Sequence, residues 1–312
     1  MEQVHNTYSF PSHTKNTDIF VQSVAPASLD DTKGIIQIVH GMAEHTDRYL
    51  EVAGFLCDAG YAVIMHDHAG HGRSVKTDAD DGYFADKDGW LKLVDDVYEV
   101  TKLAKETFPG KKLIIWGHSM GSFITRKFIA TYKDAADAAI LCGTAGANPA
   151  AGVGIGLANL VCKLKGPKAK STFINNIAFG SYNKRFEGNT GFEWLSVNKE
   201  NVEKYVADPK CGFLFTASGF RDLFHVLKDV SSKQWYEEVP KDLPIKLISG
   251  EDDPVGAYGK GVTEVYDKLK ASGHTKVTVK LYKGLRHEIH NEDCRRDVYA
   301  DIRDFADTIV KE

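Results

Sequence analysis

The chain has 312 residues, enough to bury one large core or a core with an insertion. Its hydrophobic content of 43% and charged content of 26% are ordinary for a globular protein that folds in water. The net charge of −4 and the lack of a basic stripe give no reason to expect nucleic acid as a partner.

The cysteines and the start of the chain predict a cytoplasmic protein. The five cysteines are scattered and show no C-x-x-C spacing, which is typical of free thiols in a reducing compartment. Residues 1–6 contain no charged segment that leads into an apolar one, so no signal peptide is expected. No apolar run approaches the ~20 residues that are needed to span a bilayer.

Strands and helices alternate through the first half of the chain. Residues 4–10 and 18–24 predict an opening antiparallel hairpin. Apolar runs with strand character follow at 34–40, 60–65, 113–116 and 138–142. Helices are predicted between them, at about 46–59, at 88–108 and directly after residue 119. This alternation predicts an α/β fold with βαβ crossovers and a mainly parallel, doubly wound sheet.

The alternation breaks between about residues 143 and 240, where helix-like segments are separated by Gly, Asn and Pro. It resumes with strands at 244–249 and 276–282 and ends in an amphipathic helix near 292–310.

An insertion between two core strands, close in sequence to the loops of an active site, predicts a helical cap. We therefore expect a core of residues 1–147 and 240–312 and a cap (lid) of residues 148–239. The alternative is a separate small domain on the far side of the sheet.

The most informative motif is the pentapeptide 117–121, Gly-His-Ser-Met-Gly, which directly follows the strand-like run 113–116. A strand followed at once by Gly-x-Ser-x-Gly is typical of a nucleophile elbow, which exposes a serine hydroxyl on a tight strand-to-helix turn. Glycines are needed because side chains there would collide with neighbouring backbone. Ser119 is thus the candidate nucleophile; a helix N-cap in an ordinary turn is the alternative.

The partners of such a serine are expected later in the chain, first an acid and then a histidine, each after a strand. Asp252 and Asp253 follow the first of the two C-terminal strands, and His287 follows the second. Asp253 is preferred because it precedes a proline, as a residue in an extended loop does. His287 is preferred over His290, which we expect at the start of the last helix. His287 would accept the serine proton, and Asp253 would fix the imidazole tautomer.

An acyl-transfer site also needs donors that point at the developing oxyanion. The backbone N–H of Met120, directly after the nucleophile, is one candidate. The N–H of Met42 is the other, because the segment 40–45 lies directly behind the strand-like run 34–40. The alternative makes His40-Gly41 an ordinary turn.

Histidine clusters raise the alternative of a metal site. The segment 66–71 has H-x-H-x-x-H spacing, but Gly70 stands where binuclear zinc hydrolases carry an aspartate. The segments 40–45 and 287–290 each miss a zinc motif by one residue. We expect the ligands in these clusters to point to different faces, so no metal and no cofactor are predicted.

Residues 150–162 form an apolar, glycine-loosened stretch early in the predicted cap. Lysines follow it at positions 163, 165, 168 and 170. The stretch suits an acyl tunnel, or a helix that rests on a lipid surface with its basic end toward the headgroups. We therefore expect an acyl ester or lipid substrate and transient membrane-surface contact through the cap; a cap helix packed on the core is the alternative.

Five motifs in order resemble the α/β-hydrolase fold, and within it the monoacylglycerol lipase and lysophospholipase-like branch. They lie at 40–45, 67–74, 117–121, 250–255 and 284–288. The resemblance implies the triad Ser119, Asp253 and His287 and the oxyanion donors Met42 and Met120. It also implies that 67–74 is a structural turn. The chain departs from the best-known monoglyceride lipases at Met42-Ala43, where those have a small residue followed by glycine, so we expect the Met42 side chain to narrow the pocket.

The sequence therefore predicts a cofactor-free serine carboxylester hydrolase that works through an acyl-enzyme on Ser119. Monoacylglycerols or lysophospholipids are the favoured substrates. A thioesterase or feruloyl-type esterase is the alternative within the same class. A non-catalytic binding protein with this fold and a metal-dependent hydrolase are alternatives from other classes. A proline-specific peptidase is disfavoured because Met120 stands where such enzymes are expected to carry tryptophan.

Overall fold

Eight strands form one sheet in the computed structural model, which describes residues 2–311. The strands are β1 Gln3–Pro11, β2 Asp18–Pro26, β3 Gly34–Val39, β4 Tyr61–His66, β5 Leu113–His118, β6 Ala138–Cys142, β7 Ile245–Gly250 and β8 Val277–Tyr282. Their order is β1-β2-β4-β3-β5-β6-β7-β8. The pairs β1–β2 and β2–β4 are antiparallel and the other pairs are parallel, so the predicted hairpin and the mainly parallel sheet are confirmed.

Ten α-helices accompany the sheet within residues 2–311. They are α1 Leu50–Asp58, α2 Gly89–Thr107, α3 Met120–Thr131, α4 Ala151–Lys165, α5 Thr172–Phe179, α6 Lys199–Ala207, α7 Ala217–Val230, α8 Lys233–Glu238, α9 Lys260–Ala271 and α10 Arg295–Lys311. Helices α1 and α10 pack on one face, and α2, α3 and α9 pack on the other. Strands β3 to β6 are buried along their whole length because both faces are covered, which explains their continuous apolar runs.

Helices α4 to α8 lie between β6 and β7, in the segment that was predicted to lack sheet strands. Helix α4 packs on α7, and α7 packs on α2 and α3. The inserted helices therefore stand over α3, the helix that begins directly after Ser119. No helix within the described part of the chain combines the length and the apolar character needed to cross a bilayer.

Two element boundaries differ from the sequence-based expectation. The helix expected at 46–59 begins as a 3-10 turn, Thr46–Tyr49, whose first residue donates its backbone N–H and its hydroxyl to Asp67. His290 lies in a separate 3-10 turn, Ile289–Asn291, rather than at the start of α10. The Glu292 carboxylate between these elements accepts backbone N–H groups of the inserted segment, which holds the chain out of the helix.

Candidate active site

Ser119 occupies the sharp turn between β5 and α3. Its backbone has φ 53° and ψ −121°, a conformation that costs a non-glycine residue about 1–3 kcal/mol and recurs at functional sites. A side chain at Gly121 would collide with the carbonyl oxygen of Val39, and one at Gly117 with that of Gly121. The two glycines of the motif therefore allow β5, β3 and α3 to converge beneath the serine.

The structure joins Asp253, and not Asp252, to His287. Nδ1 of His287 lies 2.8 Å from Oδ2 of Asp253, and both side chains are buried. The Asp253 carboxylate also accepts the Val255 N–H at 2.8 Å and the Ser249 hydroxyl at 3.2 Å, which fixes its orientation. Asp252, by contrast, is exposed. The loops after β7 and β8 thus place a carboxylate behind an imidazole.

Electrostatics favour a protonated His287 more than in free solution. Burial alone lowers the pKa of His287, but the Asp253 carboxylate, with smaller contributions from Glu288 and Glu44, raises that pKa above its ordinary value of 6.5.

Gly143 lies against the imidazole of His287. A methyl group at Gly143, where φ is +59°, would lie 3.0 Å from Cε1 of His287. Glycine at this position therefore leaves room for the imidazole and tolerates the left-handed backbone.

Ser119 and His287 face the same cavity. The ring of His118, the residue before the serine, lies 4.6 Å from the ring of His287. Ser119 and His287 thus line one cavity at the edge where the parallel strands end, and Asp253 lies behind His287.

His290 has different surroundings. Its ring stacks on Tyr49 at 4.9 Å and meets the edges of Trp116 and His118. Burial lowers the pKa of His290 to about 3, so its imidazole is neutral. Its contacts are those of a packing residue beneath the site.

The loop after β3 places Met42 on the wall of the cavity. The Gly41 N–H donates to Oε1 of Glu44 at 2.6 Å, and the Ala43 N–H donates to Nε2 of His71 at 3.1 Å. Because the amides on either side are occupied, Met42 is the candidate donor of this loop. Met120 is the first residue of α3, where N–H groups have no acceptor within the helix, and it lines the same cavity.

Glu44 holds this loop and was not singled out by the sequence-based reasoning. Its Oε1 accepts the Gly41 N–H, the Tyr49 hydroxyl at 2.9 Å and Nδ1 of His118 at 3.1 Å. Its Oε2 accepts Nη1 of Arg48 at 2.9 Å. Burial raises the pKa of Glu44, but His118 and Arg48 outweigh it and hold that pKa well below its usual range.

Arg48 also binds Glu288, the residue after His287. Two N–O contacts of 2.6 Å join the guanidinium to both carboxylate oxygens, and Asn201 of α6 donates to Glu288 at 2.8 Å. Burial raises the pKa of Glu288, but Arg48 lowers it to about 2. The network ties together the Met42 loop, the His287 loop and the inserted helices. The i, i+4 spacing of Glu44 and Arg48 was the one local signal of it.

Four of the histidines in segments 40–45 and 66–71, namely His40, His66, His68 and His71, pack together beside the Met42 loop. The rings of His40 and His68 are 4.3 Å apart, and those of His40 and His71 are 5.1 Å apart. Nε2 of His40 accepts the His68 N–H at 3.0 Å, and His66 contacts His68 at 3.2 Å. Burial lowers the pKa of each of these histidines, so they are neutral hydrogen-bonding groups that support the Met42 loop.

A cavity of about 640 Å³ extends from Ser119 into the inserted helices. This volume lies in the range of sites for drug-sized molecules. Its apolar walls include Phe123, Leu157, Phe179, Phe213, Leu223, Phe224 and Leu227. The side chain of Met42 is part of the wall beside Ser119, and the 150–162 stretch contributes Val153 and Leu157 from α4. The cavity therefore suits a long apolar group whose polar end lies at the serine.

Comparisons with known proteins agree with this geometry. Residues 30–294 match the Hydrolase_4 family, described as serine aminopeptidase, S33. The chain is 27% identical over 272 residues to a monoacylglycerol lipase of Mycolicibacterium smegmatis, covering 87% of each protein. It is 26% identical to the monoglyceride lipase of Homo sapiens, covering 83% of this chain and 77% of the relative.

Among solved structures, a thermostable carboxyl esterase from Bacillus coagulans, in complex with glycerol, superposes with a TM-score of 0.92. It is 30% identical, and the match covers 98% of this chain and 99% of that one. The fold, the elbow serine and the family match lead to one assignment. The chain belongs to the Hydrolase_4 (serine aminopeptidase, S33) family and has the α/β-hydrolase fold.

Proposed function

We propose that this serine ester hydrolase cleaves monoacylglycerols through an acyl-enzyme on Ser119. The observation that carries the proposal is that Ser119 and His287 both line one cavity of about 640 Å³, whose walls are largely apolar. The wall contains asparagines but neither lysine nor arginine among the described residues that line it. A neutral glycerol group therefore suits the cavity better than the phosphate of a lysophospholipid. The relatives named as monoacylglycerol and monoglyceride lipases support the same substrate.

In the proposed mechanism, Ser119 attacks the ester carbonyl while Nε2 of His287 accepts the hydroxyl proton. Asp253 stabilises the imidazolium through the 2.8 Å hydrogen bond to Nδ1. The N–H groups of Met42 and Met120 stabilise the oxyanion. His287 then protonates the departing glycerol, and a water molecule activated by the same imidazole releases the fatty acid. No metal or cofactor takes part in these steps.

The charges around the cavity favour an ester over a peptide with a free N-terminus. An aminopeptidase needs an acceptor for the α-ammonium group of its substrate, usually a carboxylate. The carboxylates that line this cavity, Glu44 and Glu288, both bind Arg48 at 2.6 to 2.9 Å. Arg48 offsets one of these two negative charges, and further donors, His118 at Glu44 and Asn201 at Glu288, already occupy the carboxylate oxygens, so a cationic substrate group gains little from them.

The inserted segment, residues 148–239, acts in this proposal as a cap that admits substrate from a lipid surface. Helices α4 and α5 expose large apolar side chains to solvent: Val153, Leu160, Leu164, Phe173 and Ile177. Val153 and Ile177 also line the cavity, so its mouth opens among these exposed residues. Lys163 and Lys165 at the end of α4 suit anionic headgroups. The five free cysteines support a cytoplasmic location.

A substrate panel tests the proposal. We expect kcat/KM for a long-chain monoacylglycerol to exceed that for the matching lysophosphatidylcholine, feruloyl ester, acyl-CoA and aminoacyl anilide by at least tenfold. Equal or faster turnover of any of these would reassign the substrate class.

Cosedimentation with vesicles of phosphatidylcholine and phosphatidylglycerol tests whether the cap binds a lipid surface. The double variant Leu160→Ser, Leu164→Ser should bind the vesicles more weakly. Val206→Ser is the control, because Val206 is exposed on α6, and it should bind as the wild type does. Equal effects of the two changes would show that the α4 surface does not bind lipid.

A further inference from the structure

His45, Asp208 and Cys211 bring three possible metal ligands to within 4.8 Å of one another, on the flank of the Met42 loop. Nε2 of His45 lies 2.8 Å from Oδ2 of Asp208. Imidazole nitrogen, carboxylate oxygen and cysteine sulfur are the ligand types that Zn²⁺ uses in proteins, and three of them with water in a fourth position form a common site. We propose that these residues bind a thiophilic divalent cation of the Zn²⁺ type that regulates the enzyme rather than taking part in the reaction.

The local chain geometry orients the three ligands. Asp208 and Cys211 belong to one turn, closed by the Cys211 N–H donating to the Asp208 carbonyl at 3.0 Å. Oδ1 of Asp208 accepts the Lys210 N–H at 2.8 Å, which directs Oδ2 toward His45. On the other side of the ring, a carboxylate oxygen of Asp47 lies 4.0 Å from Nδ1 of His45. Because the Asp208 carboxylate only accepts hydrogen bonds, Nε2 of His45 carries the ring hydrogen in the free protein, and a metal at Nε2 requires that hydrogen to move to Nδ1, the nitrogen nearer Asp47.

The charges nearby permit a dication. Arg48 is the cation that most lowers the pKa of the Cys211 thiol, but its guanidinium is already bound to Glu44 and Glu288. The Lys210 ammonium group pairs with Asp78 at 2.6 Å and lies 3.7 Å from a carboxylate oxygen of Asp81. Asp208 is 32% exposed, so an ion can enter from its side and reach the buried thiol.

Binding there links the inserted helices to the oxyanion loop. The Gly212 N–H and the Tyr205 hydroxyl both donate to the carbonyl of Ala43, at 2.9 and 3.0 Å. A metal held by His45 and Cys211 closes this same junction with two coordinate bonds. The Cys211 thiol releases its proton to solvent as its bond to the metal forms, and the Nε2 hydrogen of His45 is exchanged through solvent for one on Nδ1, so that the metal replaces the hydrogen bond between His45 and Asp208; no oxidation takes place. We therefore expect the ion to strengthen the contact between the inserted helices and the Met42 loop and to slow turnover.

Titration with Cd²⁺ tests the site, because cadmium bound to a thiolate gives an ultraviolet charge-transfer band. The reference protein carries Cys162→Ser and Cys294→Ser, which remove the partly buried and the exposed thiol away from the site. We expect one equivalent of Cd²⁺ to produce the band in it and Zn²⁺ to compete. Cys211→Ser in this background should abolish the band, and Asp208→Asn should weaken binding by about tenfold or more. A band that survives Cys211→Ser, or that is lost in the reference protein, would overturn the proposal.

A second readout does not depend on the thiolate band. Saturating Zn²⁺ should raise the Tm of the reference protein by about 3 °C and lower its kcat at least twofold, and a chelator should reverse both effects. His45→Gln should remove both responses while the protein remains folded by circular dichroism. Unchanged Tm and kcat with Zn²⁺, or the same response in His45→Gln, would contradict the regulatory role.

Discussion

Arg48 and Glu288 lie 240 positions apart in the sequence and form two N–O contacts of 2.6 Å. Arg48 follows β3, and Glu288 follows β8 and is the neighbour of His287. The pair therefore connects the loop of the proposed oxyanion donor to the loop of the proposed base. Since both groups are nearly buried, the pair is costly to break from one side.

Arg48→Met should lower the free energy of unfolding by about 3–5 kcal/mol, because it leaves Glu44 and Glu288 buried without their cation. Urea unfolding followed by circular dichroism measures the change. Lys204→Met is the matched control, because its ion pair with Glu200 is exposed, and it should give no measurable change. Equal stabilities of the two variants would show that the Arg48 network does not stabilise the fold.

His71→Phe should slow catalysis without abolishing it. The Phe84, Phe213 and Phe215 rings surround the imidazole at 5.2 to 5.8 Å, so a phenyl ring suits the space. It offers no acceptor for the Ala43 N–H, so the amide next to Met42 loses its hydrogen bond. We expect kcat to fall about tenfold, less than the roughly 10²-fold loss caused by removing an oxyanion donor. A fall in kcat/KM that arises wholly from KM would show that the loop only binds substrate.

Gly143→Ala should impair the base directly. The added methyl group would lie 3.0 Å from Cε1 and 3.1 Å from Nδ1 of His287 and displace the ring. A displacement of this size can cost about 10²-fold in kcat. Gly273→Ala is the control, because Gly273 also has positive φ but has no atom within 4 Å of the added methyl. It should keep wild-type kcat, and a comparable loss in both variants would point to backbone strain instead.

The pH dependence of kcat/KM follows from the raised pKa of His287. Burial lowers this pKa, but Asp253 raises it more, so the imidazole stays protonated, and inactive as a base, to a higher pH than free histidine. We therefore expect kcat/KM to fall as pH decreases through a midpoint above 6.5, the ordinary histidine value. Glu44→Gln removes one of the charges that raise this pKa and should move the midpoint down. An acid limb below the ordinary value would contradict the His287–Asp253 pairing.

The sheet could be predicted because the strands of a parallel sheet are buried on both faces, so they appear in the sequence as short, continuous apolar runs. The expectation that Ser119, Asp253 and His287 converge rests on the rule that loops after neighbouring parallel strands meet at one edge of a sheet, and their joint role in catalysis stays a prediction. The sequence did not reveal the pairing of Arg48 with Glu288 or the acceptor at His71. Those contacts join residues that are distant in sequence. Whether the residues meet depends on where the strand order of the sheet places the loops after β3, β4 and β8. The insertion carried helix signals, and its position between two core strands favoured a cap, but no residue pattern identified the core helices on which it packs.

Labelling with a fluorophosphonate, followed by peptide mapping, tests the central claim most directly, because this reagent reacts with activated serine hydroxyls. We predict one adduct, on Ser119, and no adduct in Ser119→Ala, whose kcat should fall by about 10⁶. An adduct on another serine, or a Ser119→Ala variant that retains kcat within tenfold of the wild type, would contradict the account.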